Sequence, residues 1–289
     1  MSSFPDLSSL DINAATDGLL SQMFVVRSSE PKPWEQALLD PAQSTKLADG
    51  SWAHVWGEGQ PVLMAHGYEG RYSQFAPIIA QLGKAGFKVI ALEMPGHGRA
   101  ASLRADPLSS AQAIRAASTE FGPFHAMIGH SQGANAVMHS AAHGAVSDRL
   151  VLIAPLVSVE ARLRMVCALV KLSPEGTELF LEKMSALVGV QPSDFEGGAL
   201  QASLPQPTLI VHDTGDREVP FAEAEELAAA WPSARLLATD DLGHKRLLAD
   251  AAVIDAVLLR PPGLFFLSVI LRTKLATSPA RAHRKYSTR

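Results

Sequence analysis

The chain is poor in the features that would place it outside ordinary globular enzymes. It has one cysteine, Cys167, which excludes an intramolecular disulfide; set in an apolar helical segment, that thiol reads as core packing. Its charge is nearly balanced, 25 Lys and Arg against 29 Asp and Glu for a net −4, which gives no reason to expect nucleic acid as a partner. No internal repeat or low-complexity tract is present. The first basic residue is Arg27, and no basic stretch leads into an apolar one, so no secretory signal is expected and a cytoplasmic location is. No apolar run approaches the ~20 residues that span a bilayer. The closest, Leu264–Leu271, is short and interrupted by Ser268. A basic tail with Arg281, Arg284, Lys285 and Arg289 follows it. Residues 260–289 therefore read as a disordered appendage, with an interfacial helix on a polybasic anchor as the alternative. A metal site is also missing: His139 and His143 lie four apart on one helix, but no Glu follows His139 and no third ligand is evident.

What is present is a globular core. Hydrophobic residues make up 47% of 289 residues, enough for one large domain with a two-sided core. Residues 1–45 are polar and proline-punctuated, with only Gly18 to Val26 mildly helical. From there strands are expected at Trp52–Val55, Val62–Ala65, Lys88–Glu93, Phe124–Ile128, Leu150–Ala154, Thr208–Val211 and Arg235–Thr239. Helices are expected at Tyr72–Ala85, Ser109–Phe121, Gln132–His143 and Phe221–Trp231. This alternation predicts an α/β fold with a mostly parallel central sheet flanked by helices. Active residues then belong in loops at the carboxyl ends of the strands.

The most informative stretch is Gly129-His130-Ser131-Gln132-Gly133. An apolar strand precedes it and a small-residue helix follows. A serine at so sharp a corner stands clear of the sheet, and glycines two positions to either side remove collisions with neighbouring backbone. A serine hydroxyl needs a histidine to take its proton and a carboxylate to orient that histidine. Acids follow the strand Thr208–Val211 in His212-Asp213-Thr214-Gly215-Asp216-Arg217-Glu218. A histidine, His244, follows the next strand in Asp240-Asp241-Leu242-Gly243-His244. Serine, acids and histidine thus follow one another along the chain, each in a loop at a strand's carboxyl end. Asp213, Asp216, Glu218 and Asp240 all compete for the role of acid.

From Trp52 to Leu258 the chain resembles the α/β-hydrolase fold superfamily, of the esterase and lipase type. Besides the elbow, the resemblance rests on Met64-Ala65-His66-Gly67-Tyr68-Glu69-Gly70, similar to the family's H-G-x loop. It rests also on Glu93-Met94-Pro95-Gly96-His97-Gly98-Arg99, similar to its D-x-P-G-H-G turn with Glu93 where Asp is usual. The acid segment is similar to H-G-x-x-D-x-x-V-P, with Asp213 where glycine is usual. This resemblance carries the acid onto Asp216, with Asp213 as the substitute. It implies catalytic Ser131, Asp216 and His244, an oxyanion hole from Tyr68 and Gln132, and no metal or organic cofactor. It also implies a small helical cap within residues 156–205 of a domain spanning 46–259. Cap residues Met165, Leu169, Phe180 and Met184 read as packing, and His66, His97 and His130 as braces of their glycine-rich turns. The expected reaction is hydrolysis of a small-molecule carboxylic ester. A ligand-binding receptor or scaffold, a thioesterase and an acyltransferase remain open on the same constellation.

Overall fold

Runs such as Val62-Leu63-Met64-Ala65 and Leu150-Val151-Leu152-Ile153 carry no polar face, which suits strands covered on both sides. The computed structural model, which describes residues 5–27, 30–33, 35–36, 43–100 and 104–258, builds them into one sheet. Its strands are β1 (Gln43–Lys46), β2 (Trp52–Trp56), β3 (Pro61–Ala65), β4 (Lys88–Glu93), β5 (Ala126–His130), β6 (Leu150–Ile153), β7 (Thr208–Asp213) and β8 (Ala234–Thr239). The spatial order is β1-β2-β4-β3-β5-β6-β7-β8. The β1–β2 and β2–β4 pairs are antiparallel, and every other pair is parallel. An α/β fold with a mostly parallel, helix-flanked sheet is thus observed.

Two helical layers cover the sheet. On one face lie α3 (Pro107–Phe121), α4 (Gln132–Ala142) and α7 (Phe221–Ala230), packed on Leu63, Leu92, Met127 and Leu152. On the other lie α2 (Ala76–Lys84) and α8 (Ala251–Val257), packed on Val62, Met64, Ile128 and Val151. Adjacent residues of one strand feed opposite cores, as the two-residue period requires.

A third apolar cluster sits apart from the sheet. It joins α1 (Ile12–Met23), α5 (Val159–Leu169) and α6 (Pro174–Val188) through Leu19, Leu20, Leu163, Cys167, Phe180 and Met184. Helices α5 and α6, within the segment where a cap was expected, therefore pack against the N-terminal segment. Ion pairs link the same parts, Lys183 to Asp17 at 2.6 Å and Lys171 to Asp6 at 2.6 Å. Phe180, Met184 and Cys167 are buried as core, whereas Met165 and Leu169 are exposed.

Several boundaries differ from those read in the sequence. The first helix starts at Ile12, ahead of Gly18, because Asp11 accepts from the Asn13 and Ala14 N–H groups as its N-cap. α3 starts two residues early for a similar reason: Asp106 accepts from Ser109 N–H, and Pro107 occupies the first turn. β5 begins at Ala126 because Phe124 makes only an isolated bridge to Ser147. β1 has no counterpart among the expected strands; it is a short polar edge strand without a period-two apolar signal. Among the described residues no helix is long and apolar enough to cross a membrane. The tail 260–289 lies outside the described residues.

Candidate active site

The elbow is built from sterics. Ser131, between β5 and α4, has φ 55° and ψ −122°, a conformation that an L-residue holds only when its surroundings enforce it. They do so here by pinning its backbone. Ser131 N–H donates to Ile153 O at 2.9 Å, and Ser131 O accepts from Ala134 N–H at 3.0 Å and Leu156 N–H at 3.2 Å. A Cβ on Gly133 would overlap the carbonyl oxygens of Ala65 and His66, and one on Gly129 would overlap the Ala134 backbone. Gly133→Ala should therefore destabilise the fold by more than ~2 kcal/mol. Chemical denaturation checks this, and a variant as stable as the parent would contradict the packing argument.

Asp216 and His244 meet across two loops. β7 ends at Asp213, and the turn after it buries the Asp216 carboxylate. One oxygen of Asp216 accepts from the Glu218 and Val219 N–H groups at 2.8 and 3.1 Å. The other lies 2.8 Å from His244 Nδ1 and 3.3 Å from His212 Nε2. Burial opposes the charge on Asp216, but the two imidazoles and the two N–H donors outweigh it and hold the carboxyl far below the usual carboxylate range. With Nδ1–H donating to Asp216, the His244 tautomer leaves Nε2 as the basic nitrogen.

The other acids of these loops have different partners. Asp213 accepts from Gly215 N–H, Thr239 Oγ1 and Leu242 N–H at 3.0, 2.8 and 2.9 Å, bracing the loop that carries His244. Asp240 accepts from Thr214 Oγ1 at 2.9 Å. Glu218 comes to 3.9 Å from His244 Nε2 but is half exposed and also faces Lys245.

Ser131, Gln132, Gly67, Tyr68 and His244 line one cavity of about 750 Å³, a size typical of small-molecule sites. Gly67 is needed at its position: a Cβ there would sit 2.8 Å from Ser131 Cβ. The backbone N–H groups of Tyr68 and Gln132 have no protein acceptor among the described residues. Neither does Ser131 Oγ have a hydrogen-bond partner among them. Catalytic hydrogen bonds commonly tighten only once substrate is bound.

The histidines read as braces do brace their turns. His66 Nδ1–H donates to Gly67 O at 2.8 Å, and its Nε2 accepts from Met94 N–H at 3.2 Å. His97 accepts from Glu69 N–H at 3.0 Å. His130 Nε2–H donates to His244 O at 2.8 Å, so the ring beside the serine also steadies the histidine loop. The long Glu93 side chain is accommodated because Gly98, at positive φ, leaves room for its carboxylate, which meets His54 at 3.3 Å. His139 and His143 stack on each other and His139 on Phe195. Among the described residues no group of three or more metal-ligating side chains forms a metal site.

Burial first, and nearby imidazoles second, lower the His66 and His130 pKa values to about 3 and that of His139 to about 4. A histidine with a depressed native pKa contributes stability above its unfolded pKa of ~6.5 and loses it as pH falls. The unfolded chain then binds protons that the folded one refuses. Stability should fall between pH 6.5 and 4 with a slope steeper than the ~1.4 kcal/mol per pH unit of a single proton. Denaturation midpoints measured over that range test this, and a flat profile would refute it.

Reasoning from sequence misses the N-terminal contribution to the site. Leu19, Met23, Phe24 and Val25 line the cavity, yet residues 1–45 read as poorly defined. The available signal is Asp11 as a cap followed by apolar residues at helical spacing, Leu19, Leu20 and Met23.

A serine on a strand-to-helix corner of an eight-stranded, mostly parallel sheet is the architecture of an α/β hydrolase. Residues 62–256 match the alpha/beta hydrolase family, and the chain belongs to it. No curated protein matches the chain. Among solved structures it is similar to Est1E from Butyrivibrio proteoclasticus, at 18% identity over 75% of this chain and 96% of that one, with a TM-score of 0.58. An esterase from Exiguobacterium antarcticum is similar at 20% identity over 75% and 97%, TM-score 0.53. So is the thioesterase domain from the curacin biosynthetic pathway, at 16% identity over 76% and 99%, TM-score 0.56. At these identities the likeness is one of fold.

Proposed function

We propose that this protein is a serine-dependent hydrolase of carboxylic esters, acting through an acyl-serine intermediate. The observation that carries the reading is the buried Asp216–His244 pair at 2.8 Å, opening on the cavity that also holds the strained Ser131. His244 Nε2 takes the Ser131 proton as Oγ attacks the ester carbonyl. The oxyanion that forms is met by the N–H groups of Tyr68 and Gln132, each such donor contributing ~3–4 kcal/mol. His244, now charged and steadied by Asp216, protonates the leaving alcohol. It then takes a proton from the water that attacks the acyl-enzyme, and Ser131 is regenerated. Every step uses groups of this chain and water.

The test needs no knowledge of the substrate. A fluorophosphonate probe should give a single adduct, mapped by mass spectrometry to Ser131 and absent in Ser131→Ala. A folded protein that gives no adduct would overturn the hydrolase reading in favour of a ligand-binding scaffold. Sustained turnover of the ester, as opposed to one turnover and a stable adduct, separates an enzyme from a receptor. Product partitioning on addition of an alcohol would reveal acyl transfer.

A further inference from the structure

The N-terminal segment grips the loop that follows β3. The Tyr68 hydroxyl lies 3.0 Å from Met23 O and 3.1 Å from Val25 O. Arg27 N–H donates to Glu69 at 3.3 Å. The buried Glu35 carboxylate accepts from Arg71 at 2.8 Å and Ser73 at 2.6 Å. These bonds cross the chain to neighbouring positions of one loop, the loop that carries Tyr68, the proposed oxyanion donor, on the cavity wall. At its other end the same segment is tied to the cap, with Leu7 N–H donating to Val170 O at 2.9 Å.

Between these attachments the cavity wall is mostly apolar, with Gln22 and Gln191 its uncharged polar members. Leu19 and Met23 of α1 face it together with Leu163 and Val166 of α5 and Met184 and Val188 of α6. Charged wall residues gather instead with the catalytic loops. Glu69 follows Tyr68, Glu218 and Lys245 flank His244, and Arg162 donates to Glu218 O at 2.6 Å. A polar reacting end and an apolar chamber suit a ligand of the same polarity.

We propose that the chamber under α1 takes an extended apolar chain of the ester, and that Tyr68 is a positioning residue whose hydroxyl holds the α1 wall beside the oxyanion loop. This rests on the hydrolase reading above. Chain-length recognition and the placement of the Tyr68 N–H are thereby carried by one residue. Filling the chamber at Leu19, or releasing the wall at Tyr68, then acts on long chains more than on short ones.

The experiment compares kcat/KM for p-nitrophenyl octanoate and acetate, and for octyl and ethyl acetate, in the parent and in Leu19→Trp, Met23→Gln and Tyr68→Phe. The parent should favour the long chain on one side of the ester, which identifies the side lodged in the chamber. The long-to-short ratio on that side should fall about tenfold or more in Leu19→Trp, and severalfold in Met23→Gln and Tyr68→Phe. Calorimetry of decanoate binding to Ser131→Ala, with and without Leu19→Trp, reads the chamber without turnover, and the second substitution should weaken binding. No chain-length dependence on either side, or ratios and decanoate binding unchanged in folded variants, overturns the inference. Failure of Ser131 to label, with decanoate binding intact and sensitive to Leu19→Trp, overturns the hydrolase reading alone.

Discussion

Ser131→Ala should lower turnover of a p-nitrophenyl ester by on the order of 10⁴–10⁶-fold. The size follows from what the substitution leaves in place. Alanine occupies the same corner, held by the bonds from Ile153, Ala134 and Leu156, so the Tyr68 and Gln132 N–H groups keep their positions. Those proposed donors would still polarise a bound carbonyl, but no covalent intermediate can form, and the residual rate is that of water beside the retained oxyanion donors. His244→Ala should fall in the same range, because serine without its base is a weak nucleophile. The double variant should be little worse than either single one, since the two act as a unit. Turnover numbers from single-turnover and steady-state kinetics on folded variants test this. A Ser131→Ala protein that retains parental turnover would end the acyl-serine mechanism.

Asp216→Asn should cost up to ~10⁴-fold in kcat, somewhat less than loss of the serine, and Asp213→Asn far less. The two aspartates sit three residues apart on one loop, and what separates them is the partner each has. Asp216 meets an imidazole; an amide there can donate to His244 Nδ1 and select the tautomer that places the proton on Nε2. That nitrogen then cannot accept from Ser131. Asp213 meets two backbone N–H groups and a hydroxyl, so an amide in its place turns an N–H₂ toward donors and loosens the His244 loop. Its signature is a lowered Tm with kcat changed modestly. Because Asp216 is held far below the usual carboxylate range, it stays ionised through the pH range of an ordinary assay, and loss of activity from pH 7 to pH 4 is not its protonation. If Asp213→Asn abolishes activity and Asp216→Asn does not, the assignment of the acid is wrong.

Much of this site could be read from the linear chain. Glycine at 129 and 133 around a serine, after an apolar strand, announces an elbow because no other residue fits against the backbone of Ala65, His66 and Ala134. Strand-end loops carrying acids and then His244 announce the partners. The choice among Asp213, Asp216, Glu218 and Asp240 comes only from the family resemblance, which points to Asp216, and not from the residues themselves. All four are acids at or just beyond strand ends, and their roles differ in which donors a second loop, distant in sequence, brings to each.

The N-terminal segment shows the same limit from the other side. Its helix is short and its apolar stripe, Leu19, Leu20 and Met23, is weak in isolation, since a lone helix of this length is marginal in water. It becomes part of the molecule because α5 and α6 supply the partner surface and because Tyr68, Arg71 and Ser73 supply partners for its carbonyls and for Glu35. Local order, strand against helix, glycine against close backbone and serine before acid before histidine, is set by sterics and periodicity within a few residues, and the sequence alone determined it. Which carboxylate meets the imidazole, and which surface closes the cavity, depends on groups more than 20 residues apart meeting at hydrogen-bond distance. Only the tertiary structure decides that, because a hydrogen bond is specified by the position of both ends and the chain states only one at a time.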